Sequence, residues 1–337
     1  MSTINIIPAD TSACGYYRLI QVANMLALDK TSDVTLSPMG KYRYFGQQYN
    51  VTQRIVSESI FQQLIAFKER TKTKFIVDYD DLLWEYKGES IPEYNVTRFK
   101  IDMKGNTEAM KKYLNDFADK VIVSTEYLKK ALDGLVDVNK IVVIPNMLTR
   151  KEWHFDRAKS IMGNDTLYYA GSPTHYENTH KLPGDFSSAW VDYLQDKKVI
   201  IQGVTPYFIK PISTQGWSPL NMYAHDFYTG TRQCDFIIAP LANNIFNRCK
   251  SDLKYLEACA VGRVCLMTEF EDGPYNGAHP YQLIPANATK KQLEYCIDRA
   301  KANYLDILSY QYEYLNNRWL DNNIGMYQAL FNDRVEI

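Results

Sequence analysis

Short apolar runs alternate with amphipathic segments along the first half of the chain, and this pattern predicts strands interleaved with helices. Leu19, Val22, Ala23 and Leu26, for example, share one face of a helix. The pattern predicts strands at 3–7, 34–36, 75–77, 121–123 and 141–144, and helices at 17–28, 57–70, 107–118 and 126–135. This alternation indicates a doubly wound α/β domain.

The same alternation begins again beyond Arg150. It predicts strands at 166–170, 198–202, 235–239 and 264–267, and helices at 186–194, before Gly262, at 290–304 and at 307–330. The sequence therefore predicts two Rossmann-like halves with a boundary near residue 150. Ligands of such sheets bind beyond the carboxyl ends of the strands, so the loops at these ends are the place to look for chemistry.

Composition limits the class of protein. The chain has 337 residues, of which 46% are hydrophobic, enough for two cores. Its start, MSTINIIPAD, lacks the basic region of a signal peptide, and no apolar run approaches the roughly 20 residues that span a membrane. The cysteines show neither a Cys-x-x-Cys pair nor zinc spacing, so we expect a reduced, cytoplasmic protein.

Charge is nearly balanced overall, but residues 41–74 are rich in Lys and Arg. Lys41, Arg43 and Tyr44 interleave bases with aromatic rings. Such a patch could follow a phosphate backbone and stack on bases, which makes double-stranded DNA a candidate partner. The alternative is a solvated loop followed by the polar face of a helix.

The segment between the predicted strands 235–239 and 264–267 has the most informative chemistry. A polar turn at 246–251 opens a helix, and helix N-termini attract phosphate because their N–H groups are unpaired. Lys250 adds a positive charge there, and Ser251 or Asp252 can cap the helix. Glu257 lies at the edge of the apolar stripe, where its carboxylate could accept hydrogen bonds from a ribose diol. The alternative is a surface glutamate on an ordinary helix.

Two further loops follow the first strand of each half. In the first, Gly15 lets the backbone approach a ligand and Arg18 lies in the first helical turn; the alternative is a simple strand–helix turn. In the second, Gly171 and Ser172 precede His175, which could donate to a phosphate or a sugar or be merely solvated. His180 lies five residues further on, a spacing that does not indicate a metal site.

Asp78, Asp80 and Asp81 follow the predicted strand 75–77 and leave several functions open. An Asp-x-Asp pair after a strand could bind a metal–nucleotide complex. It could also supply the nucleophile and acid of a haloacid-dehalogenase-type phosphatase, although that family has Thr or Val where this chain has Leu82. It could orient an acceptor hydroxyl, or simply cap a helix.

These motifs resemble the donor-binding segment of retaining glycosyltransferases of family four. In that family an acid in a Leu-Glu-Ala sequence binds the donor ribose, and Glu257 matches it. An earlier acid of the family falls at Cys249, where the chain departs from the pattern, and Asn247 or Lys250 would take over its contact to the sugar. The local pattern Phe-Asn-x-x-Lys-Ser-x-x-Lys-x-Leu-Glu is similar to a bacteriophage and bacterial branch of these enzymes.

The resemblance implies a GT-B fold, with two Rossmann-like domains, 1–150 and 151–318, facing a central cleft. It implies that residues 319–337 pack back on the first domain. The donor-binding residues that it implies are Gly15, Arg18, Gly171, Ser172, Asn247, Arg248, Lys250, Ser251 and Glu257. The residues that it implies for catalysis are Asp80, Asp81 and His175.

The sequence therefore favours a glycosyltransferase that moves a sugar from a nucleotide-diphosphate donor, most simply a UDP-sugar, and the resemblance implies retention of configuration. No metal or other cofactor is required. The favoured acceptor is a 5-hydroxymethylpyrimidine in phage DNA, which would place the protein in the host cytoplasm. The alternatives are transfer to a surface or capsule glycan, a phosphatase, and a binding protein without turnover.

Overall fold

The computed structural model describes residues 2–11, 13–30, 32–37, 47–86, 107, 108, 110–154, 163–172, 175, 184–216 and 220–331. The chain divides into two compact units. The first unit comprises Met1–Met147, Arg248–Ser251 and Leu320–Ile337, and the second comprises Leu148–Asn247 and Asp252–Trp319. Each unit has a six-stranded parallel sheet. The predicted α/β class with two Rossmann-like halves is confirmed.

The sheet of the first unit has the strand order β2-β1-β3-β4-β5-β6. Its strands are β1 Ser2–Ile7, β2 Ser32–Leu36, β3 Tyr49–Gln53, β4 Lys74–Tyr79, β5 Lys120–Val123 and β6 Ile141–Val143. From β1 the chain goes to β2 on one side and then returns to β3 on the other. The topological switch point, where ligands of such sheets bind, therefore lies between the carboxyl ends of β1 and β3.

Strand β3 was missing from the sequence prediction because its buried face is partly polar. All five residues of this strand are buried. Asn50 lies between neighbours that satisfy its amide: Asn5 donates to its Oδ1 at 3.1 Å, and its Nδ2 donates to Thr73 Oγ1 at 2.8 Å. Buried polar groups need such partners, and here the partners permit a central strand without a continuous apolar run.

The helices of the first unit differ from the prediction mainly at their ends. The predicted helix 17–28 begins earlier, at Ala13, and contains a π-helical turn at Tyr16–Ile20. The helical segments are Ala13–Gly15, Tyr16–Ile20, Gln21–Asp29, Glu58–Thr71, Met110–Leu114, Asn115–Phe117, Glu126–Lys130, Val138–Lys140, Leu320–Asn323, Gly325–Gln328 and Ala329–Phe331. The last three contribute to the core of this unit, where Tyr327 and Phe331 share one hydrophobic cluster with Ile4 and Ile6.

The sheet of the second unit has the order β12-β11-β10-β7-β8-β9. Its strands are β7 Thr166–Gly171, β8 Lys198–Gly203, β9 Ser213–Gln215, β10 Phe236–Ala239, β11 Val264–Glu269 and β12 Leu283–Pro285. The switch point lies between β7 and β10. The prediction missed β9 and β12, which are three-residue strands at the two edges of the sheet and too short to show a period.

The helices of the second unit correct two predictions. Its helical segments are Ser188–Leu194, Leu220–Thr231, Ile245–Arg248, Leu253–Ala260, Pro280–Gln282, Lys290–Ala302 and Tyr304–Asn316. The polar turn predicted at 246–251 contains the end of a short helix, Ile245–Arg248. The predicted helix that follows the turn is Leu253–Ala260, and Asp252 is its N-cap residue. The predicted helix 307–330 is divided as well. One helix ends at Asn316, with Asn317 as its C-cap residue, and the short helices Leu320–Asn323 and Gly325–Gln328 follow.

The helices of the part of the chain that the structure describes are all too short or too polar to cross a membrane.

Candidate functional site

The switch point of the second unit is organised by Asp185, which the sequence did not single out. Its side chain is fully buried and accepts hydrogen bonds from Ala242 N at 3.2 Å and Asn247 Nδ2 at 2.6 Å. Its other oxygen lies 2.8 Å from His175 Nδ1. One carboxylate thus joins the loop after β7 to the loop after β10. The residue lies just before a helix that follows a switch-point strand, which is the signal that could have identified it.

The contact with Asp185 fixes the chemistry of His175. A carboxylate only accepts, so Nδ1 carries the proton and Nε2 is the ring nitrogen that can meet a ligand. The imidazole is 15% exposed, which leaves it an edge toward solvent. His175 is therefore an oriented imidazole, whose Nε2 accepts a hydrogen bond from a hydroxyl when the ring is neutral and donates to a phosphate when the ring is an imidazolium.

Gly171 and Ser172 begin the loop after β7. A Cβ added at Gly171 would lie 2.2 Å from the hydroxyl oxygen of Tyr169, so close packing already requires glycine there. The carbonyl of Ser172 accepts from the amide of His175 at 3.1 Å. This short turn holds the histidine beside the end of the strand, and its backbone lies at the switch point where the sequence places donor phosphates.

The side chain of Glu257 lies on a buried face of the helix Leu253–Ala260. It is 1% exposed, which excludes the alternative of an ordinary surface glutamate. Its Oε2 lies 3.4 Å from both Tyr223 Oη and Lys254 Nζ. Burial, with the Glu257 charge as the next contribution, raises the pKa of Tyr223, so the phenol stays protonated and donates to the acid. The sequence did not indicate that Tyr223 and Lys254 contact Glu257, the residue proposed to bind the ribose.

Asn247, a predicted donor contact, makes its hydrogen bonds within the second unit. It is fully buried, and its Nδ2 donates to Asp185 and, at 3.0 Å, to the carbonyl of Ala242. A side chain used in this way shapes the loop after β10. Arg248, which ends the short helix Ile245–Arg248, is half-buried.

The turn Arg248–Ser251 groups with the first unit and is attached there by polar contacts. Thr125 Oγ1 lies 3.3 Å from the carbonyl of Cys249, and Asn146 Nδ2 donates to Ser251 Oγ at 2.7 Å. Lys250 Nζ lies 3.7 Å from Asp81 Oδ1. Burial raises the pKa of the Cys249 thiol, so this position holds a neutral group.

Asp80 and Asp81 meet at the carboxyl edge of the first sheet around Arg54. Both acids are largely buried, at 7% and 8% exposure. Arg54 Nε donates to Asp80 Oδ1 at 2.6 Å, and Nη2 donates to Asp80 Oδ2 at 3.0 Å and to Asp81 Oδ2 at 2.6 Å. In the sequence Arg54 is part of a basic stretch, and its place beside these acids depends on β3, a strand that the hydrophobic pattern does not show.

Arg18, a predicted donor contact, forms a buried ion pair with Asp78. Both side chains are fully buried, and Arg18 Nη2 lies 2.6 Å from Asp78 Oδ2. Arg18 Nη1 also donates to the carbonyl of Ile144 at 2.5 Å and to Asn146 Oδ1 at 3.1 Å. The two side chains thus neutralise each other inside the first unit.

Gly15 is explained by packing. A Cβ at this position would lie 1.9 Å from the carbonyl oxygen of Asp10, and the amide of Gly15 donates to Asp10 Oδ1 at 3.0 Å. The glycine lets the first helical turn close onto the loop after β1. Lys41, Arg43 and Tyr44, the proposed DNA contacts, lie outside the described residues.

Cys14, Asp80 and Asp81 are the only group among the described residues whose potential metal ligands lie within 4.8 Å of one another. The fit to a cation is poor. Arg54 already neutralises the two carboxylates, and burial raises the pKa of the Cys14 thiol, which keeps it protonated.

A cavity of about 370 Å³ opens beside the loop after β10 in the second unit. It is lined by Asp185, Phe186, Ser187, Trp190, Leu241, Ala242, Asn243, Thr268, Pro285, Ala286 and Asn287. The cavity combines apolar walls with amides and hydroxyls, as small-molecule sites do. It shares Asp185 and Ala242 with the switch point.

Sequence comparison finds no relatives: no family model matches the chain, and no curated protein does.

Comparison of structures does find similar folds. HepE (Alr3699) of Anabaena in complex with UDP-glucose has a TM-score of 0.63 at 9% identity, over 98% of this chain and 99% of that chain. A glycosyltransferase from Rickettsia africae has a TM-score of 0.60 at 15% identity, over 97% and 96%. TarM of S. aureus has 0.58 at 12%, over 85% of this chain and 55% of that one. The predicted family-four membership and phage branch stay predictions, but these likenesses and the two parallel sheets establish that the chain has the GT-B fold of glycosyltransferases.

Proposed function

We propose that this protein is a glycosyltransferase that uses a uridine-diphosphate sugar as its donor. The observation that carries the proposal is the buried carboxylate of Glu257, on the helix that follows the switch-point strand β10. The fold supports it, because HepE, which is similar over nearly its whole length, has been crystallised with UDP-glucose and with UDP. Binding of the two hydroxyls of a ribose would explain why the helix carries an acid at this buried position.

The remaining donor contacts follow from charge. Departure of a nucleoside diphosphate builds negative charge on its phosphates, and preorganised cations and N–H groups stabilise that charge. Lys250, with Arg248 and Ser251, supplies such groups in the turn Arg248–Ser251. The backbone at Gly171 and Ser172 supplies N–H groups at the end of β7, and His175 supplies one at Nε2 when its ring is an imidazolium. We propose these residues as the ones that contact the donor. Arg18, Gly15 and Asn247 are left out because hydrogen bonds and close packing within their own units account for them.

Asp80 and Asp81 are proposed to orient the acceptor. Retention of configuration is proposed on the family resemblance, with the departing phosphate as the base for the acceptor hydroxyl. No protein nucleophile is then needed, which agrees with the burial of Asp78. No step requires a metal, and the sugar nucleotide is a substrate.

For the acceptor we propose a hydroxymethylated pyrimidine in double-stranded DNA, on the strength of the basic and aromatic residues Lys41, Arg43 and Tyr44. Such a base would have to be flipped out of the helix to react. The protein would then act in the cytoplasm of an infected host. Transfer to a glycan or protein hydroxyl is the second candidate, because GtfA, a similar fold, is an O-GlcNAc transferase.

Calorimetric titration with UDP tests the donor site. We expect wild-type protein to bind UDP, and Glu257→Gln, which keeps the shape but loses the charge, to bind it about 10–100-fold more weakly, the value of one or two hydrogen bonds to a charged group. Glu271→Gln changes an exposed acid and serves as the matched control, with unchanged affinity. Equal affinity of the two variants for UDP would remove Glu257 from the site.

Transfer itself is tested with a panel of sugar nucleotides and 5-hydroxymethylcytosine duplexes, read by the mass of the nucleosides. A salt titration of duplex binding accompanies it, because phosphate contacts weaken steeply with salt. No duplex binding even at low salt would reject DNA and favour the glycan. Binding of UDP without transfer to any acceptor or to water would favour the non-catalytic alternative.

A further inference from the structure

Arg54 has a backbone conformation that an arginine rarely adopts. Its φ is +53°, in the left-handed region, directly after the end of β3. Its amide nonetheless donates to the carbonyl of Asp78 at 2.9 Å, so the turn is attached to the neighbouring strand β4. A strained conformation of a non-glycine residue persists where its surroundings over-determine it, and such positions cluster at functional sites.

The guanidinium of Arg54 gives a reason for the strain. Its nitrogens hold both oxygens of Asp80 and Oδ2 of Asp81, and Nη1 lies 3.7 Å from Asp10 Oδ2. The side chain is only 12% exposed. A planar fork with several donors can bridge two carboxylates in one geometry, which a lysine cannot do. The left-handed turn at the end of β3 therefore brings one fork onto acids from the end of β4.

The contacts treat the two acids differently. Asp80 gives both oxygens to Arg54. Asp81 gives only Oδ2, and its Oδ1 has Lys250 Nζ at a longer 3.7 Å. Without the guanidinium, two largely buried carboxylates on adjacent residues would repel each other and lose their fixed arrangement. Arg54 thus holds Asp81 in one orientation through Oδ2 and leaves Oδ1 outside that contact.

We propose that Arg54 is a positioning residue for acceptor transfer, which holds Asp81 so that Oδ1 accepts a hydrogen bond from a polar group of the acceptor. The proposal rests on the proposed function. Arg54 itself touches neither donor nor acceptor. Its loss should therefore lower turnover and leave binding of UDP intact, because misplacing a positioned group by about 1 Å costs about 100-fold in rate.

The test compares Arg54→Gly, Arg54→Ala and Arg54→Lys. Glycine accepts the left-handed turn without strain, so Arg54→Gly removes the guanidinium while sparing the backbone. We expect kcat from UDP-glucose to a 5-hydroxymethylcytosine duplex, and to water, to fall about 100-fold in the glycine and alanine variants. Arg54→Lys should retain more turnover. Added guanidinium chloride, at concentrations too low to unfold the protein, should restore part of the activity of Arg54→Gly.

Other readouts separate this role from a structural one. Arg54→Gly should melt above Arg54→Ala by about 2–4 °C because it carries no strain, yet show the same kcat. The Kd for UDP should stay within about threefold of wild type in all three variants, and the exposed control Arg70→Ala should change nothing.

Turnover of Arg54→Gly equal to wild type would overturn the role of Arg54, as would a Kd for UDP that rises together with the loss of kcat. A wild-type protein that binds no UDP would instead overturn the proposed donor and, with it, this role.

Discussion

At the scale of single residues, the loop after β1 shows that close packing can require a glycine where the sequence suggests a ligand site. A glycine after the first strand of a Rossmann-like sheet suggests close approach to a phosphate. Here the group that approaches is the carbonyl oxygen of Asp10, which would lie 1.9 Å from a Cβ at Gly15. The φ of Gly15 is −63°, so this position needs glycine for space and not for conformation.

Gly15→Ala should therefore destabilise the protein by about 2–3 kcal/mol, since the methyl group meets a backbone atom that cannot turn away. The measurement is urea unfolding. Gly216→Ala is the control, because nothing lies within 4 Å of a Cβ there, and we expect it to be neutral or slightly stabilising. A fully stable Gly15→Ala would mean that the loop after β1 can move away without cost.

Residue types in the sequence identify candidate chemistry but not its geometry. Lys250 and the Asp80–Asp81 pair are candidates because they are charged groups in loops that follow strands, and Glu257 is one because it is an acid at the edge of an apolar helical stripe. Arg18 and Asp78 look the same in sequence, but they neutralise each other inside the first unit. Only the three-dimensional pairing distinguishes a charge that serves the fold from one that serves a ligand.

At the scale of elements, the helix that carries Glu257 depends on a clamp at its N-terminus. Asp252, its N-cap residue, makes no side-chain capping bond to the helix. Its carboxylate instead accepts from Arg318 Nη1 and Nη2, each at 2.8 Å, and from the hydroxyl of Tyr314. The clamp attaches the start of this helix to the end of the helix Tyr304–Asn316.

Arg318→Ala should cost about 2–3 kcal/mol of stability, because it leaves the carboxylate of Asp252 largely buried without its charged donors. Arg318→Lys should cost less, since lysine keeps the charge but loses the fork. Thermal and urea unfolding check both. If the helix is positioned by this clamp, the alanine variant also binds UDP more weakly than the lysine variant does, and equal affinities would contradict that link.

The elements themselves were predictable where the core is apolar. Strands such as β4, β7 and β10 are continuous apolar runs, and their helices show helical spacing. Strand β3 failed the same test because Asn50, Thr52 and Gln53 are polar, although buried. Its stability comes from hydrogen bonds to neighbours far away in sequence, which no local pattern contains.

At the scale of the whole molecule, the reactivity of the cysteines indicates whether both units are folded. All six are free, and all but Cys14 are buried. Removal from water, which is only partial for Cys14, is the largest cause that raises their pKa, to about 12 for Cys234 and well above the usual value for Cys14 and Cys259. The thiolate, which is the reactive form, is therefore scarce at neutral pH in the native protein.

Iodoacetamide at pH 7–8 should label the native protein slowly, and all six cysteines should react at the rate of a free thiol once guanidinium unfolds it. Because the pKa values are raised, labelling of the native protein should stay slow until pH exceeds about 9, above the pKa of an unperturbed thiol. Mass spectrometry of time points gives the rates. Fast labelling of a single cysteine would locate a unit that opens on its own.

The discontinuity of the first unit has a consequence for synthesis. Its hydrophobic cluster includes Leu320, Tyr327, Leu330 and Phe331 as well as Ile4 and Ile6. On the ribosome, strands β1–β6 emerge first, yet these last four members of the cluster emerge only after the entire second unit. The nascent first unit therefore waits with part of its core uncovered, and the second unit is the first that can fold to completion.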